Sequence, residues 1–514
     1  MADYDVIVVG GGHNGLVAGA YAARASLKTL VLEKTDRLGG MCQTIEFMPG
    51  FKANIGATGC AYWLRPTVIE ELELNKYGLN LVPNDPWYTH VFPGGKTLTI
   101  YPDVERTCEE IARYSKHDAE NWKLLFEKWA VLREMMDMAM DYPPPPWPDA
   151  VGGMCMNDEM LELWQEMYLV SMQKTLDTYF ESEIVRCAIL AWGQSGATAS
   201  PAGYSQAMFL FHFCLAPAWK RSIGGMGVIV DAIVQAAEAQ GANIKTNSPV
   251  ARILVKDGKA YGVKLESGEE ITARVVMANT DLHNTFFKLI DEEEIPDAKF
   301  IRRAKAFKFD SYGVTLNIAL SEFPDLPIAR EKLHTGFFTI GNSQDAFYRA
   351  YHKWEMNEMP DADEFAFEAF VAPPEDRFAP EGKYTLVTWV MPVPYDLKEG
   401  DWHSRKQEFI DKAIDGLTAH APNIKKSVLG TYVLTPAEMA EEWNVTRGDA
   451  VHGRQSWDQM NAFRPVIGYS SYRMPIKNLY LCGSSAYSGG GVTGVPGHNA
   501  TMVMLDDLKQ GLIT

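Results

Sequence analysis

Residues 6–15 of this 514-residue chain read VIVVGGGHNG, and small and apolar residues follow as far as Arg24. The four β-branched residues carry no charge, which predicts a strand buried on both faces. Gly10, Gly12 and Gly15 form a Gly-x-Gly-x-x-Gly pattern between this strand and a predicted helix. Such glycines allow a tight turn, close approach of a pyrophosphate, and close packing of helix on strand. The free N–H groups at the start of the helix also favour phosphate.

A second predicted strand, at residues 29–32, ends at Glu33. This acid follows Gly15 by about 18 residues, near the spacing of about 20 found in dinucleotide-binding folds. Its carboxylate can accept hydrogen bonds from both ribose hydroxyls, and its charge would repel a 2′-phosphate. A structural Gly-rich turn is the alternative interpretation, but the strands, glycines, helix and acid all fall at the expected intervals. The sequence therefore predicts a Rossmann-type α/β site for FAD rather than NADP.

The composition narrows the classes of function. The length suggests two or three domains, and 46% hydrophobic residues are enough to build their cores. A formal charge of -18 argues against nucleic-acid binding, and no ligand spacing indicates a metal site. The seven cysteines contain no CxxC pair, which predicts reduced thiols in a cytoplasmic protein without dithiol flavoenzyme chemistry.

We expect neither a targeting signal nor a membrane span. The first strand begins at Val6, which leaves no room for a signal before it. No run of about 18 apolar residues occurs, so we expect peripheral membrane contact at most. The sequence is also compatible with a homo-oligomer.

The residue patterns of successive segments predict discontinuous domains. Residues 1–80, 221–305 and 440–514 carry glycine-rich α/β patterns and are predicted to form the FAD-binding domain. Within them, Asp257 and Gly258 predict a hairpin turn between two strands. Residues 81–220 contain amphipathic helical stretches, such as 104–114 and 119–140, and are rich in Met and aromatic residues, which predicts a helical insert that acts as a substrate pocket or lid. Residues 306–439 show strand patterns at 313–320, 365–371 and 384–391, typical of an antiparallel-sheet α+β substrate domain.

The C-terminal stretch contains a second glycine-rich segment. Residues 479–484 read LYLCGS, which predicts a short buried strand, and residues 486–500 read AYSGGGVTGVPGHNA before a last helix. Glycines in front of a helix again present bare N–H groups to a negative or carbonyl-rich partner.

These motifs together resemble those of the phytoene desaturase-related FAD-dependent oxidoreductases. The resemblance rests on DVIVVGGGHNGLVA at residues 5–18, LGG at 38–40, GGMG at 224–227 and the C-terminal motifs. It is nearest to the pyridine nucleotide-disulphide oxidoreductase domain-containing subgroup, which lacks the dithiol despite its name. The resemblance implies a noncovalently bound FAD, an amine-oxidase-like fold of two domains, and a substrate channel over the flavin.

The motifs and the resemblance together define a predicted cofactor site. The resemblance implies that the first glycine segment and the residues after Glu33 hold the adenosine diphosphate half, and that Val250 meets the adenine through its backbone. It also implies that residues of the C-terminal stretch line the ribityl chain and the ring. The predicted set is Gly10, Gly12, His13, Asn14, Gly15, Glu33, Lys34, Arg37, Gly39, Gly40, Met41, Val250, Gly483, Ser484, Gly491, Val492, Thr493 and Gly494.

Tyr487 and His452 are the predicted proton handlers for hydride transfer to flavin N5. His13, His498 and His212 are alternatives, and for the first two a helix-capping role in a Gly-rich loop is the simpler interpretation. Tyr487 departs from relatives that often have His-Pro in this neighbourhood, and a packed tyrosine with a bonded hydroxyl is an equal interpretation.

Three hypotheses about function remain open at this point. The first is FAD-dependent dehydrogenation (desaturation) of a small apolar molecule, isoprenoid or acyl, with oxygen or a quinone as the electron acceptor. An amine oxidase would be a variant of it and would need an aromatic cage, to which Tyr487 could add one wall. The second is a redox-neutral enzyme with reduced FAD, an alkene cis-trans isomerase or hydratase. The third is a non-catalytic flavoprotein that acts through partners.

Overall fold

Two seven-stranded sheets form the framework of the chain. The computed structural model describes residues 2–59, 64–193, 200, 203 and 220–513. The strands in this part are, in chain order, β1 (Tyr4–Val9), β2 (Thr29–Leu32), β3 (Thr44–Met48), β4 (Phe51–Asn54), β5 (Leu81–Pro83), β6 (Tyr88–Val91), β7 (Thr97–Ile100), β8 (Lys220–Ser222), β9 (Asn243–Lys245), β10 (Val250–Lys256), β11 (Lys259–Leu265), β12 (Glu270–Ala278), β13 (Val314–Leu320), β14 (Phe337–Ile340), β15 (Ala366–Val371), β16 (Tyr384–Met391), β17 (Val428–Val433) and β18 (Leu479–Leu481).

Helices cover both sheets. In the same part of the chain they are α1 (His13–Arg24), α2 (Pro66–Glu71), α3 (Val104–Ala112), α4 (Lys116–Met140), α5 (Trp147–Met154), α6 (Asp158–Trp164), α7 (Met172–Tyr179), α8 (Glu183–Gly193), α9 (Gly227–Ala239), α10 (Leu282–Phe287), α11 (Ala298–Ala306), α12 (Arg330–Thr335), α13 (Gln344–Glu355), α14 (Trp402–Thr418), α15 (Ile424–Ser427), α16 (Pro436–Trp443) and α17 (Val495–Lys509).

The first sheet confirms the predicted Rossmann-type α/β fold. The strand β1 lies at its centre and pairs in parallel with β2 on one side and β12 on the other. The parallel part continues through β9 next to β2 and through β18 next to β12, and β11 and β10 extend it antiparallel from the first half of β12. All four residues of the opening apolar run are buried, as expected for a strand that is covered on both faces.

Small residues let the helix α1 pack closely on this sheet. A Cβ at Gly19 would lie 2.6 Å from Val31 of β2, so only glycine fits there. On another side of α1, a Cβ at Gly497 of α17 would overlap the backbone oxygen of Asn14. The first and last helices of the chain are thus in backbone contact, which brings the two glycine-rich segments together.

The second sheet has the order β17-β13-β16-β15-β14-β6-β7 and is antiparallel except between β14 and β6. Strand patterns at residues 313–320, 365–371 and 384–391 correctly predicted β13, β15 and β16. The prediction that residues 81–220 are a helical insert is wrong in its first part, because β6 and β7 belong to this sheet. Each of these strands has four residues, and β6 joins the sheet by pairing with the distant β14 while β7 pairs with β6, which leaves little local pattern. The boundaries of the domains stay a prediction.

The helical stretches predicted at residues 104–114 and 119–140 correspond to α3 and α4, with shifted ends. The helix α4 begins earlier because the Ser115 hydroxyl caps it by accepting a hydrogen bond from Asp118 N at 3.0 Å. Among the described residues, no helix combines the length and the apolar character needed to cross a bilayer.

Candidate active site

A cleft of about 450 Å³ lies between the first sheet and the second. Its walls combine the β1–α1 turn, the end of β2, the C-terminal glycines and three residues of the second sheet region. Fifteen of the twenty predicted site residues line it: Gly10, Gly12, His13, Asn14, Glu33, Lys34, Arg37, Gly39, Gly40, Met41, Val250, His452, Ser484, Gly491 and Val492. The structure therefore brings together residues that are more than 400 positions apart in sequence.

The β1–α1 turn forms a cradle of bare backbone. Gly10 has a φ of +103°, which favours glycine, and a Cβ at Gly15 would overlap the backbone oxygen of Gly10. Gly12 caps α1 without a side-chain hydrogen bond, so the first N–H groups of the helix are not satisfied by a cap. This arrangement fits a diphosphate at the positive end of the helix dipole.

Glu33 is held in place by the same turn. One carboxylate oxygen accepts a hydrogen bond from Gly11 N at 2.8 Å, and the other accepts from Thr35 N at 3.0 Å and from the Thr35 hydroxyl at 3.1 Å. A carboxylate has about four acceptor positions, so capacity remains for ribose hydroxyls. The sequence predicted the acid but not the bonds that fix its orientation.

Several buried polar atoms in the cleft have no hydrogen-bond partner among the described residues. They include Nε2 of His13, Oδ1 of Asn14 and Nδ1 of His452. The amide of Asn14 donates to the Ser484 hydroxyl at 3.1 Å, which joins the two glycine-rich segments. Unpaired buried polar atoms cost about 1–3 kcal/mol each, so their concentration in one cleft fits a polar ligand such as FAD.

Both cleft histidines are uncharged near neutral pH. Burial lowers the pKa of His13 to about 4. Burial and the neighbouring Arg464 cation lower the pKa of His452 as well. A neutral imidazole can accept one hydrogen bond and donate another, which suits orientation of a ligand or acceptance of a proton.

A buried acid and a buried base hold the segment that carries His452. Asp449 is 0% exposed and accepts hydrogen bonds from the backbone N–H groups of Val451 at 2.9 Å and Gly453 at 3.0 Å. Burial raises the pKa of Asp449 to about 7. Arg464 is 1% exposed and donates to backbone carbonyls of both cleft-lining segments, and burial lowers its pKa to about 10. The sequence analysis assigned no role to Arg464.

Five predicted residues do not line the cleft. Gly15, Gly483 and Gly494 are packing positions, as a Cβ at Gly483 would lie 2.8 Å from Asn279 O and Gly494 lies against Val68. The hydroxyl of Thr493 accepts from Val495 N at 3.0 Å at the start of α17.

Tyr487 is the fifth predicted site residue that does not line the cleft. It is 8% exposed within the core of the first sheet region, and burial raises its pKa to about 12. This placement favours a packed tyrosine over a proton handler.

The alternative histidines have other positions. His498 lies against Tyr21, with ring centroids 4.9 Å apart, and its Nδ1 lies 2.7 Å from Asn499 Oδ1. It does not line the cleft. His212 lies outside the described residues.

Two further walls of the cleft were missed by the sequence analysis. The end of α16 contributes Glu442, which forms an ion pair with Arg37. The second sheet region contributes Tyr312, Glu368 and Trp389. The pairing of distant strands brings Glu368 and Trp389 to the cleft, and no local sequence motif identifies them.

The comparisons with known proteins agree with this geometry. Residues 15–497 match the family described as flavin containing amine oxidoreductase. The chain is 31% identical to pyridine nucleotide-disulfide oxidoreductase domain-containing protein 2 of Rattus norvegicus, over 99% of this chain and 94% of the relative. It is 26% identical to a limonene dehydrogenase subunit of Castellaniella defragrans, over 98% and 95% of the two chains. It is also 26% identical to a zeta-carotene-forming phytoene desaturase of Myxococcus xanthus, over 96% and 91%.

Solved structures share the fold at low sequence identity. A putrescine oxidase structure, 16% identical, covers 99% of both chains with a TM-score of 0.62. Cyclohexylamine oxidase from Brevibacterium oxydans, 17% identical, covers 99% of this chain and 100% of its own with a TM-score of 0.59. The predicted resemblance to phytoene desaturase-related flavoproteins is confirmed, and the chain belongs to the FAD-dependent flavin containing amine oxidoreductase family.

Proposed function

We propose that this FAD-dependent oxidoreductase dehydrogenates a small, mostly apolar molecule that binds between the cofactor walls of the cleft and the second sheet. The observation that carries the proposal is the continuity of one cleft, which is lined by the glycine segments on one side and by Tyr312 and Trp389 on the other. Aromatic walls with few polar groups are typical of sites for apolar substrates. When bound, FAD supplies the hydride acceptor that the protein itself lacks.

The chain's own residues bind and orient the reactants. The turn at Gly10 and Gly12 and the start of α1 bind the diphosphate, and Glu33 binds the ribose. Val250 lines the adenine end through its backbone, and Ser484 and Val492 line the opposite end of the cofactor site. These assignments are supported by the position of each residue in the cleft wall.

His452 is the proposed proton handler. It lines the cleft, its Nδ1 has no partner among the described residues, and its lowered pKa keeps the imidazole neutral and able to accept a proton. Tyr487 is not proposed for this role, because it does not line the cleft.

The names of two relatives support an isoprenoid substrate. One belongs to a limonene dehydrogenase and another is a zeta-carotene-forming phytoene desaturase, and both names refer to isoprenoid chemistry. Oxygen or a quinone as electron acceptor and a cytoplasmic location stay predictions from the sequence.

An anaerobic reduction experiment tests the proposal. The purified protein is loaded with FAD and mixed without oxygen with isoprenoids, limonene first, while the visible flavin spectrum is recorded. We expect the oxidised flavin band to bleach in proportion to the substrate consumed. A protein that binds no FAD would overturn the proposal. Conversion of an alkene only by pre-reduced protein, with the flavin left reduced, would replace it with the redox-neutral alternative.

A pair of glutamate variants tests the role of Glu33 in FAD binding. Glu33→Gln removes the charge that lies against Gly11 and Thr35, so we expect FAD to bind about tenfold more weakly. Glu46→Gln changes an exposed glutamate that accepts a hydrogen bond from Gly50 N and does not line the cleft, so FAD binding should stay unchanged.

A further inference from the structure

The side chain of Asn279 lies between the two glycine-rich segments. Strand β12 ends at Ala278 and pairs in parallel with β1 on one side and with β18 on the other. Asn279 therefore follows the middle strand of the three, while Gly10 follows β1 and Gly483 closely follows β18. The carboxyl ends of parallel strands meet at one edge of the sheet, which is where such folds bind ligands. One side chain is thus placed beside both segments, and Asn279 lines the cleft.

The amide of Asn279 holds the β1–α1 turn. Its Nδ2 donates a hydrogen bond to the backbone oxygen of Gly10 at 3.1 Å. Its own backbone N–H donates to Val9 O at 2.8 Å, which fixes the residue to the end of β1. The Gly10 carbonyl begins the turn that leads to the free N–H groups of α1. A carbonyl oxygen bound in this way is kept from turning toward an anionic diphosphate, which it would repel.

The same amide occupies the space that a side chain at Gly12 would need. A Cβ at Gly12 would lie 2.9 Å from Asn279 Nδ2, and among the described residues no other atom of the surroundings lies within 4 Å of it. Gly12 has a φ of -67° and a ψ of 165°, which any residue can adopt. The backbone conformation therefore does not require glycine at this position. Within the protein itself, the amide of Asn279 does.

The neighbouring glycines are required for other reasons. A Cβ at Gly15 would lie 2.1 Å from the backbone oxygen of Gly10, and a Cβ at Gly11 would lie 2.8 Å from the side chain of Leu38. Truncation of Asn279 would remove neither of these contacts. The three positions of one turn can therefore be distinguished by their response to a second substitution.

We propose that Asn279 is the positioning residue of the diphosphate site. Its amide holds the Gly10 carbonyl in the turn, and glycine is required at position 12 to leave room for that amide. The second glycine of a Gly-x-Gly-x-x-Gly pattern is explained by the approach of the pyrophosphate. Asn279 adds a reason inside the protein, which applies before the cofactor binds. The inference rests on the proposed function in one respect, the binding of the diphosphate at the β1–α1 turn.

A double-mutant cycle in the FAD-free protein tests the contact. Gly12→Ala and Asn279→Ala are made singly and together, and the urea unfolding equilibrium of each is measured without cofactor. Alanine is less favourable than glycine at a helix N-cap in either background. We expect the loss caused by Gly12→Ala to be at least about fivefold larger in the unfolding equilibrium constant when Asn279 is present. A glycine that is required only for the pyrophosphate would give equal losses, because no phosphate is bound.

Gly11→Ala is the matched control. Gly11 belongs to the same turn, but the atoms nearest to a Cβ there belong to Leu38 and Glu33 rather than to Asn279. Its effect on unfolding should therefore agree within about twofold in the presence and absence of the Asn279 side chain. If Asn279→Ala does not fold, Asn279→Ser, which also lacks the amide, takes its place in the cycle.

Ligand titrations separate positioning of the diphosphate from a general loss of structure. Binding of FAD is followed by flavin fluorescence, and ADP and adenosine are measured as competitors. In Asn279→Ala, FAD and ADP should bind about tenfold more weakly, because the turn that carries the phosphate-binding N–H groups has lost its support. Adenosine has no phosphate, so its binding should change by less than about twofold.

Two results would overturn the proposal. One is an equal loss for Gly12→Ala with and without the Asn279 side chain, and the other is equal weakening of ADP and adenosine in Asn279→Ala. If the wild-type protein binds FAD and is bleached by an isoprenoid, either result removes the role of Asn279 and leaves the proposed function intact. A wild-type protein that binds ADP no more tightly than adenosine would remove both the diphosphate assignment and the role of Asn279.

Discussion

Arg464 Nη2 lies 2.7 Å from the backbone oxygen of Ser484, and the same nitrogen lies 3.1 Å from the backbone oxygen of His452. These two carbonyls belong to separate segments that both line the cleft. One buried guanidinium therefore fixes the distance between the C-terminal glycine segment and the proposed proton handler. The five N–H donors of its planar guanidinium can bind several carbonyl oxygens at once.

Replacement of Arg464 by lysine should destabilise the protein although the charge is kept. A lysine has three donors on a flexible stem, so some of the backbone carbonyls lose their partner, at about 1–3 kcal/mol each. We expect Arg464→Lys to lower the free energy of unfolding in urea by about 3 kcal/mol and to speed the loss of FAD. Arg24→Lys, in an exposed ion pair with Glu71, should cost less than about 1 kcal/mol. Equal losses in the two variants would contradict the role given to Arg464.

Asp449 should make stability depend on pH. Burial raises its pKa to about 7 in the folded protein, above its usual value near 4. The folded state therefore holds the proton more tightly, so this contribution is fully present below about pH 4 and is lost as the pH rises through 7.

Asp449→Asn removes this titration. The variant loses one acceptor for the backbone N–H groups that Asp449 holds, so it should be less stable than the wild type at pH 4. Between pH 4 and pH 8, the unfolding free energy of the variant relative to that of the wild type should rise by on the order of 3–4 kcal/mol. Urea unfolding across this range measures it. A difference that does not change with pH would show that Asp449 is ionised throughout.

The two predicted proton handlers should respond differently to substitution. Tyr487→Phe removes a hydroxyl that does not line the cleft, so the rate of anaerobic flavin bleaching should change by less than about twofold. His452→Gln keeps a polar side chain but removes the proton acceptor, so the rate should fall at least about tenfold. Flavin content per protein, measured for both variants, separates loss of chemistry from loss of cofactor. A large effect at Tyr487 and none at His452 would reverse the assignment.

The β1–α1 wall of the cleft could be predicted because its information is local. The glycines, the strand before them and Glu33 lie within one short segment, and each residue type has a defined structural or binding role in a dinucleotide-binding fold. The same applies to the β10–β11 hairpin, where Asp257 and Gly258 both have positive φ. Local strand patterns were enough for β13, β15 and β16.

The second-sheet wall of the cleft could not be predicted because pairing of distant strands forms it. Glu368 is the one charged residue of β15, and only the register between β15 and β16 makes it a neighbour of Trp389. Tyr487 shows a second limit of reading a site from the sequence. It lies among the C-terminal glycines in sequence, yet its side chain is packed away from the cleft they line. Position along the chain does not reveal the direction of a side chain in an irregular loop.

The contact between α1 and α17 gives a last prediction. Gly497 lies in the first turn of α17, where a Cβ would overlap the backbone oxygen of Asn14 in α1. A packed interface accommodates an extra methyl group only by shifting, which typically costs about 1–3 kcal/mol. Gly497→Ala should therefore lower the unfolding free energy by that amount. It should also weaken FAD binding, because Asn14 lines the cleft and donates to Ser484.

The matched variant is Gly152→Ala in α5. No atom lies within 4 Å of a Cβ at Gly152, and alanine is favoured over glycine in a helix by about 0.5–1 kcal/mol. We expect this variant to unfold at an equal or higher urea concentration than the wild type, with FAD binding unchanged. If the unfolding free energy falls in Gly497→Ala and does not fall in Gly152→Ala, the contact between α1 and α17 is the reason that glycine is required at position 497. If Gly497→Ala behaved like Gly152→Ala, the backbones of α1 and α17 would have room to separate, and their approach would not be what holds the two glycine segments at the cofactor site.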